Sequence, residues 1–157
     1  MTVLNDFNTS VERALGEIDP KWRDYNGLVV CGTHTPRDIE YMIYKIQEAR
    51  EKGIPFLGIC FGYQLAAIEW ARSMMGIKDA TSEEFNEPGT KVVKKREEGL
   101  KVGLHDGESY WSNYDLAIQL PAYPKNYFVA PFHPEYQSMK GNPHPLLVSF
   151  LDYAKTH

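Results

Sequence analysis

The segment IPFLGICFGYQLAAIEWAR, Ile54 to Arg72, runs from an apolar stretch straight into helical periodicity, with only Gly58-Ile59-Cys60-Phe61-Gly62 between the two. A chain that turns from strand to helix in so little space holds its corner residue in a strained backbone conformation. Side chains on the flanking residues would collide there, so hydrogen is the tolerated substituent. This is the cysteine form of the G-x-S-x-G elbow. It requires a buried strand on one side and a helix on the other, which restricts the chain to an α/β arrangement.

The rest of the first half fits that restriction. NGLVVCG, Asn26 to Gly32, is a short apolar run closed by glycine and reads as a buried strand. THTPRDIEYMIYKIQEAREKG follows as a helix, with Thr35 as N-cap, Pro36 in the first helical position and Asp38 completing a variant capping box. Its apolar face is Ile39, Met42, Ile43, Ile46 and Ala49, and Gly53 ends it. IPFLGIC is a second buried strand, and the next helix carries Leu65, Ile68, Ala71 and Met75, with Gly76 as its stop. Strand, helix, strand and helix with short joints predict a parallel sheet covered on both faces.

After EEFNEPGT the texture changes to short alternating runs, LKVGL, DLAIQL and YFVAPF, which predict further strands, some antiparallel. HPLLVSFLDYAK closes the chain as an amphipathic helix starting at Pro145. The expected architecture is a three-layer α/β/α domain over residues 1–157, with a mostly parallel central sheet bearing the elbow. Residues 1–25 are its atypical part: TSVERALGEI is helical in pattern, but no convincing first strand precedes it.

Bulk properties exclude several roles. The 157 residues carry a formal charge of −4 with acids and bases interspersed, so no basic stripe is available for a nucleic-acid backbone. The longest basic cluster, KVVKKREEGLK, is broken by two glutamates and reads as a solvated turn or hairpin. No apolar run approaches the ~20 residues of a membrane span, and MTVLNDFNTS has neither the basic nor the apolar region of a secretion signal. Two cysteines make no disulfide framework, so the expectation is a cytoplasmic protein. His34, His105, His144 and His157 show no metal-ligand spacing and no phosphate loop occurs, so neither metal nor cofactor is expected.

In an open α/β sheet the active groups gather at the carboxyl ends of the strands, where Cys60 falls. The elbow places the sulfur near a helix N-terminus, which favours the thiolate. It also aims the Phe61 amide at the place where an oxyanion would form. A lone cysteine is more often a small buried hydrophobe, but the two glycines, the strand and the helix together favour a nucleophile. Such a nucleophile needs a base, and the base needs an orienting group. APFHPEY offers both: His133 and Glu135 follow an apolar strand, two apart and so on one side of an extended segment, with Pro134 stiffening the link and preventing helix.

Taken together, these residues resemble the class I glutamine amidotransferases, in particular the glutaminase domain of CTP synthase and the short proteins related to its C-terminal region. GICFGYQLAAIEWAR is similar to that branch's nucleophile segment, KDATSEEF to the segment after its helix, and FHPEYQS with HPLLVSFLDYA to its C-terminal signature. The resemblance runs from about Tyr25 onward and implies a flavodoxin-like fold. It also implies a Cys60-His133-Glu135 triad, with Gln64 and Glu84 at positions that contact glutamine and Gly32 in the oxyanion loop. Read without the resemblance, Gln64 is a polar residue on a first helical turn and Glu84 a solvated loop carboxylate.

This chain also departs from the family pattern. Thr33 stands where the family has a glycine whose peptide turns toward the oxyanion, and a β-branched residue resists that. Ser109, before Tyr110, stands where an arginine grips the substrate carboxylate, so a bidentate cationic partner is missing. The segment between Phe85 and Gly99 is short, and the usual first strand is absent or degenerate. Three readings of the sequence remain open. The chain releases ammonia from glutamine, with a synthetase partner as acceptor; or it hydrolyses another γ-glutamyl or small amide; or it is a catalytically silent binding module on the same scaffold.

Overall fold

The computed structural model describes residues 1–120 and 122–157. Its central sheet has four parallel strands, β1 (Thr2–Leu4), β2 (Leu28–Val30), β3 (Phe56–Ile59) and β9 (Tyr127–Ala130), in the order β1-β2-β3-β9. Helices α2 (Ile39–Lys52) and α3 (Phe61–Met74) cover one face, and α1 (Thr9–Ile18) and α4 (Pro145–Thr156) the other. The division follows the strand period of two. Leu28, Val30 and Phe56 pack toward α2 and α3, whereas Val29, Cys31, Leu57 and Ile59 pack toward α1 and α4. A sheet apolar on both faces accounts for the unbroken apolar runs. Among the described residues, no helix is long and apolar enough to cross a membrane.

The first strand is present, contrary to the reading of the N-terminus. Thr2, Val3 and Leu4 pair in parallel with Leu28, Val29 and Val30. Three residues on a sheet edge leave too short a pattern to register as a strand. Helix α2 starts three residues later than its capping signals imply, with Asp38 rather than Thr35 as N-cap. The Thr33 hydroxyl takes the Thr35 N–H at 3.0 Å, so Thr35 stays in the loop. Asp38, in a left-handed conformation at φ +51°, offers its carbonyl to Met42 and begins the helix. The apolar face and the Gly53 stop are as read, Gly53 being left-handed with its N–H on the Ala49 carbonyl. Met75 lies past the end of α3 and is exposed. Helices α2 and α3 are tied by Arg50, which grips the buried Glu69 carboxylate in a forked pair at 2.9–3.2 Å.

Two further small sheets hold the antiparallel pairings. In one, β5 (Thr90–Lys95) runs parallel to β4 (Ala80–Ser82) and antiparallel to β8 (Tyr114–Leu116); the other is the antiparallel hairpin β6 (Lys101–His105) and β7 (Glu108–Ser112). The KVVKKREEGLK stretch divides into strand β5, whose Val92 and Val93 are buried, and an exposed turn leading to β6. The hairpin lies across the carboxyl end of the parallel sheet and is pinned there by polar contacts. His144 Nδ1 accepts from the Leu146 N–H, so its Nε2–H donates to Glu108 at 2.9 Å. Gln137 bridges the Ser109 N–H and the Gly107 carbonyl.

Candidate active site

The register of the parallel sheet brings the two halves of the site together. Ile59 pairs with Ala130, and the Cys60 N–H continues the ladder to the Ala130 carbonyl at 2.8 Å. Cys60 therefore leaves β3 beside the strand that delivers His133 three residues later. The elbow has the strain its sequence implies: Cys60 has φ +53° and ψ −98°, a sparsely populated conformation that must be held by its surroundings. The glycines are steric necessities. A Cβ on Gly62 would stand 2.1 Å from the Val30 carbonyl oxygen, and one on Gly58 3.0 Å from the Gly62 backbone. Phe61 is the first residue of α3, so its N–H has no partner within the helix. The Cys60 thiol lies 3.7 Å from the Trp111 carbonyl, directly beneath the hairpin.

His133 and Glu135 are both almost wholly buried, and His133 Nδ1 lies 2.7 Å from Glu135 Oε1. The backbone that joins them is not extended. Pro134–Tyr136 forms a turn of 3-10 helix with Pro134 in its first position, where a missing N–H costs nothing. This turn folds the carboxylate back onto the imidazole. The His133 N–H donates to the Ser109 carbonyl at 2.7 Å, and Tyr136 stacks on the ring at 4.9 Å between centroids. From α1, Arg13 reaches across and donates to the carbonyls of Glu135 and Ser138 at 3.0 and 3.2 Å.

Burial alone would lower the His133 pKa. The neighbouring Cys60 sulfur and the Glu135 carboxylate on Nδ1 outweigh it and hold the imidazolium up to about 10. Glu135 Oε2 is buried without a hydrogen-bond partner, so the imidazolium is the main compensation for that carboxylate. The other cysteine, Cys31, is fully buried, and desolvation followed by the charges of Glu135 and Glu12 pushes its thiol pKa far up. It is a core residue.

Two clefts meet at Cys60. One, of about 210 Å³, is bordered by Thr33, Phe61, Gln64, Glu84 and Trp111. The other, of about 260 Å³, is bordered by Tyr63, Gln64, Lys101, Tyr110 and Asp115. Gln64 belongs to both; it is buried and its Oε1 has no partner. Glu84 is desolvated and its pKa is raised. Gly32 forms the wall between ring and sulfur, since a Cβ there would stand 3.3 Å from His133 Cε1 and 3.9 Å from Cys60 Cβ.

Neither Gly32 nor Thr33 has a positive φ. The Thr33 hydroxyl takes the Thr35 N–H, the Thr35 hydroxyl donates to the Asp6 carboxylate at 3.4 Å, and Thr33 with Thr35 lowers the Asp6 pKa. Ser109 borders neither cleft; its backbone carries His133 instead. Of the residues proposed from sequence, Cys60, Thr33, Phe61, Gln64, Glu84 and Tyr110 thus border the clefts, with Gly32 and His133 beside them and Glu135 behind.

Two residues escaped the sequence reading. Lys101 is the one ammonium among the described residues lining either cleft, its Nζ 3.9 Å from the Tyr110 ring centroid. The alternation in LKVGL already puts it on the face opposite Leu100 and Val102. Arg13 left no sequence signal, because its targets are backbone carbonyls more than 120 residues away.

Known proteins share the sequence pattern and the fold. Residues 5–128 match the family described as glutamine amidotransferase class-I. The chain belongs to that family. The matched stretch includes the elbow and stops short of His133 and Glu135. CTP synthase of Thermomicrobium roseum is 30% identical over 202 aligned residues, covering 94% of this chain and 36% of the relative. CTP synthase of Methanoregula boonei is 38% identical over 127, covering 78% and 23%. The chain thus spans roughly a third or less of the length of these relatives. The glutaminase domain of Trypanosoma brucei CTPS with bound acivicin superposes with a TM-score of 0.77 over 97% of this chain and 89% of that one, at 20% identity, and shares the fold.

Proposed function

We propose that this chain hydrolyses the side-chain amide of glutamine through a thioester on Cys60. The observation that carries the reading is the buried His133–Glu135 pair at 2.7 Å, set against the sulfur of a strained elbow. A buried carboxylate with one orphaned oxygen is costly in a scaffold, which weighs against a silent binding module.

The groups present suffice for the reaction. Cys60 sulfur attacks the amide carbon, a C–S bond forms, and the carbonyl electrons move onto oxygen, which faces the Phe61 N–H and the Gly32–Thr33 loop. As the C–N bond breaks, the His133 imidazolium gives its proton to the nitrogen, which leaves as ammonia. The neutral imidazole then takes a proton from water as that water attacks the thioester. Glutamate departs and the starting pair returns. Glu135 orients the ring and stabilises its charge throughout. Lys101 takes the substrate carboxylate that Ser109 does not reach, and Gln64 Oε1 with Glu84 takes the α-ammonium. The acceptor of the ammonia is a synthetase domain or subunit, a reading supported by the similarity to proteins named CTP synthase.

Replacing Cys60 with alanine is expected to reduce ammonia release from glutamine to background while the thermal melting curve is retained; undiminished release by that variant removes the assignment. Lys101→Met is expected to raise KM for glutamine about tenfold with little change in kcat, since it removes one charge-assisted contact worth roughly 1.5 kcal/mol. An unchanged KM would take Lys101 out of the substrate site.

A further inference from the structure

We propose that a third pocket, bordered by the His133 ring and not by Cys60, receives the leaving amine of an N-substituted γ-glutamyl amide, and that this amine is an apolar aryl or alkyl one. The inference rests on the reading that Cys60 is acylated, and it widens the substrate class of that site beyond glutamine.

The pocket measures about 300 Å³ and is lined by Phe7, His34, Trp111, His133 and Tyr136. His34 and Trp111 also line the first Cys60 cleft, so the two spaces adjoin across those side chains. Reaction geometry assigns the halves of the substrate. The acyl carbon must lie at the sulfur. The departing nitrogen must lie against His133, which protonates it. A substituent on that nitrogen therefore extends along the imidazole, and this pocket is the concavity that the imidazole borders. For ammonia as the leaving group no such space is needed.

The lining gives the chemistry of the substituent. Every lining residue contributes an aromatic or imidazole ring, and none is a carboxylate, ammonium or guanidinium. A charged leaving group, such as the amine of a second amino acid, meets no ion there but the His133 imidazolium, which is neutralised as it protonates the departing nitrogen, whereas a flat or branched apolar group finds ring faces and edges. The rings are held in place before any ligand arrives: Tyr136 stacks on His133 with 17° between planes, and Phe7 meets His34 edge-on at 4.9 Å. Trp111 and Tyr136 remain 46% and 52% exposed, which leaves apolar area for a ligand to cover. A cavity of roughly 150 Å³ suffices for benzene, so the space takes a phenyl group with room to spare. The balance is that of amide hydrolysis: the C–N bond breaks, His133 supplies the proton that makes the free amine, and water replaces it as the thioester opens to glutamate.

The test compares kcat/KM for glutamine, γ-glutamylanilide and γ-glutamylglycine in the wild-type chain, Trp111→Ala and Tyr136→Ala. The anilide is expected to be cleaved faster than γ-glutamylglycine. Each truncation is expected to lower the anilide-to-glutamine ratio about five- to tenfold, as loss of an aromatic pair does. Glutamine turnover with the anilide no better than the glycine amide, or with a ratio untouched by both truncations, overturns this inference and leaves the Cys60 mechanism standing. Failure to cleave any of the three overturns the mechanism and this inference with it.

Discussion

The elbow at Cys60 and the turn at His133 arrive at the same point by opposite means. The elbow is held by backbone: φ +53° at Cys60, a ladder bond to Ala130, and two glycines whose missing side chains let β3, α3 and β2 come within contact. The turn is held by side chains and by chain from elsewhere: Glu135 on the ring, Ser109 on its amide, Arg13 on the following carbonyls, Tyr136 on its face. Local strain is a property of a few adjacent residues, so it is strongly specified and intolerant of change. A hydrogen-bonded assembly gathered from α1, β7 and β9 is distributed, so single losses weaken it without abolishing the fold.

The sharpest way to break the comparison is Gly62→Ala. The added methyl would stand 2.1 Å from a backbone oxygen that cannot swing away. It is expected to destabilise the chain by about 3 kcal/mol or more, measured by chemical denaturation; a loss under about 1 kcal/mol would mean that the elbow relaxes freely. Next in size is Glu135→Gln, which keeps the shape and removes the charge. A decrease of about a hundredfold in kcat/KM is expected with little loss of fold.

Its pH profile carries the sign. The His133 pKa is raised, to about 10, so in the proposed mechanism the imidazolium persists well past neutrality and activity is expected to fall as pH rises through about 10. Removing the Glu135 charge moves that alkaline limb to lower pH. The same linkage gives a stability contribution that is complete below the ordinary imidazole range and lost as pH rises from there to about 10. An alkaline limb that stays in place in the variant would show that Glu135 does not set the charge on His133. Smallest is Arg13→Ala, expected to cost about 1 kcal/mol of stability and to lower kcat several-fold by loosening the turn. An effect on KM alone would place Arg13 outside the positioning of the base.

The same contrast explains what could be read from the chain alone. The elbow was legible because its cause is local: an apolar run, two glycines and a helical pattern in nineteen consecutive residues, Ile54 to Arg72. The faces of α2, α3 and α4 were legible for the same reason. Legibility failed where tertiary contacts replace local pattern. Thr2–Leu4 is a strand because β2 lies beside it, and Thr35 stays out of α2 because the Thr33 hydroxyl takes its N–H. The sequence pairs His133 with Glu135 but predicts an extended link, whereas the link is a turn, because proline is excluded from the interior of a helix and not from its first position. Ser109 stands in the sequence where the family has its carboxylate anchor, and its backbone carbonyl accepts from the His133 N–H, a contact that no side-chain pattern encodes.

The central claim is that the strained sulfur becomes acylated by an amide substrate under the control of the neighbouring imidazole. Mass spectrometry of acid-quenched protein during glutamine turnover tests it directly. The expected result is a glutamyl adduct confined to the peptide containing Cys60, absent from Cys60→Ala and strongly reduced in His133→Ala. Turnover without any adduct, or an adduct carried by the peptide of the buried Cys31, would contradict it.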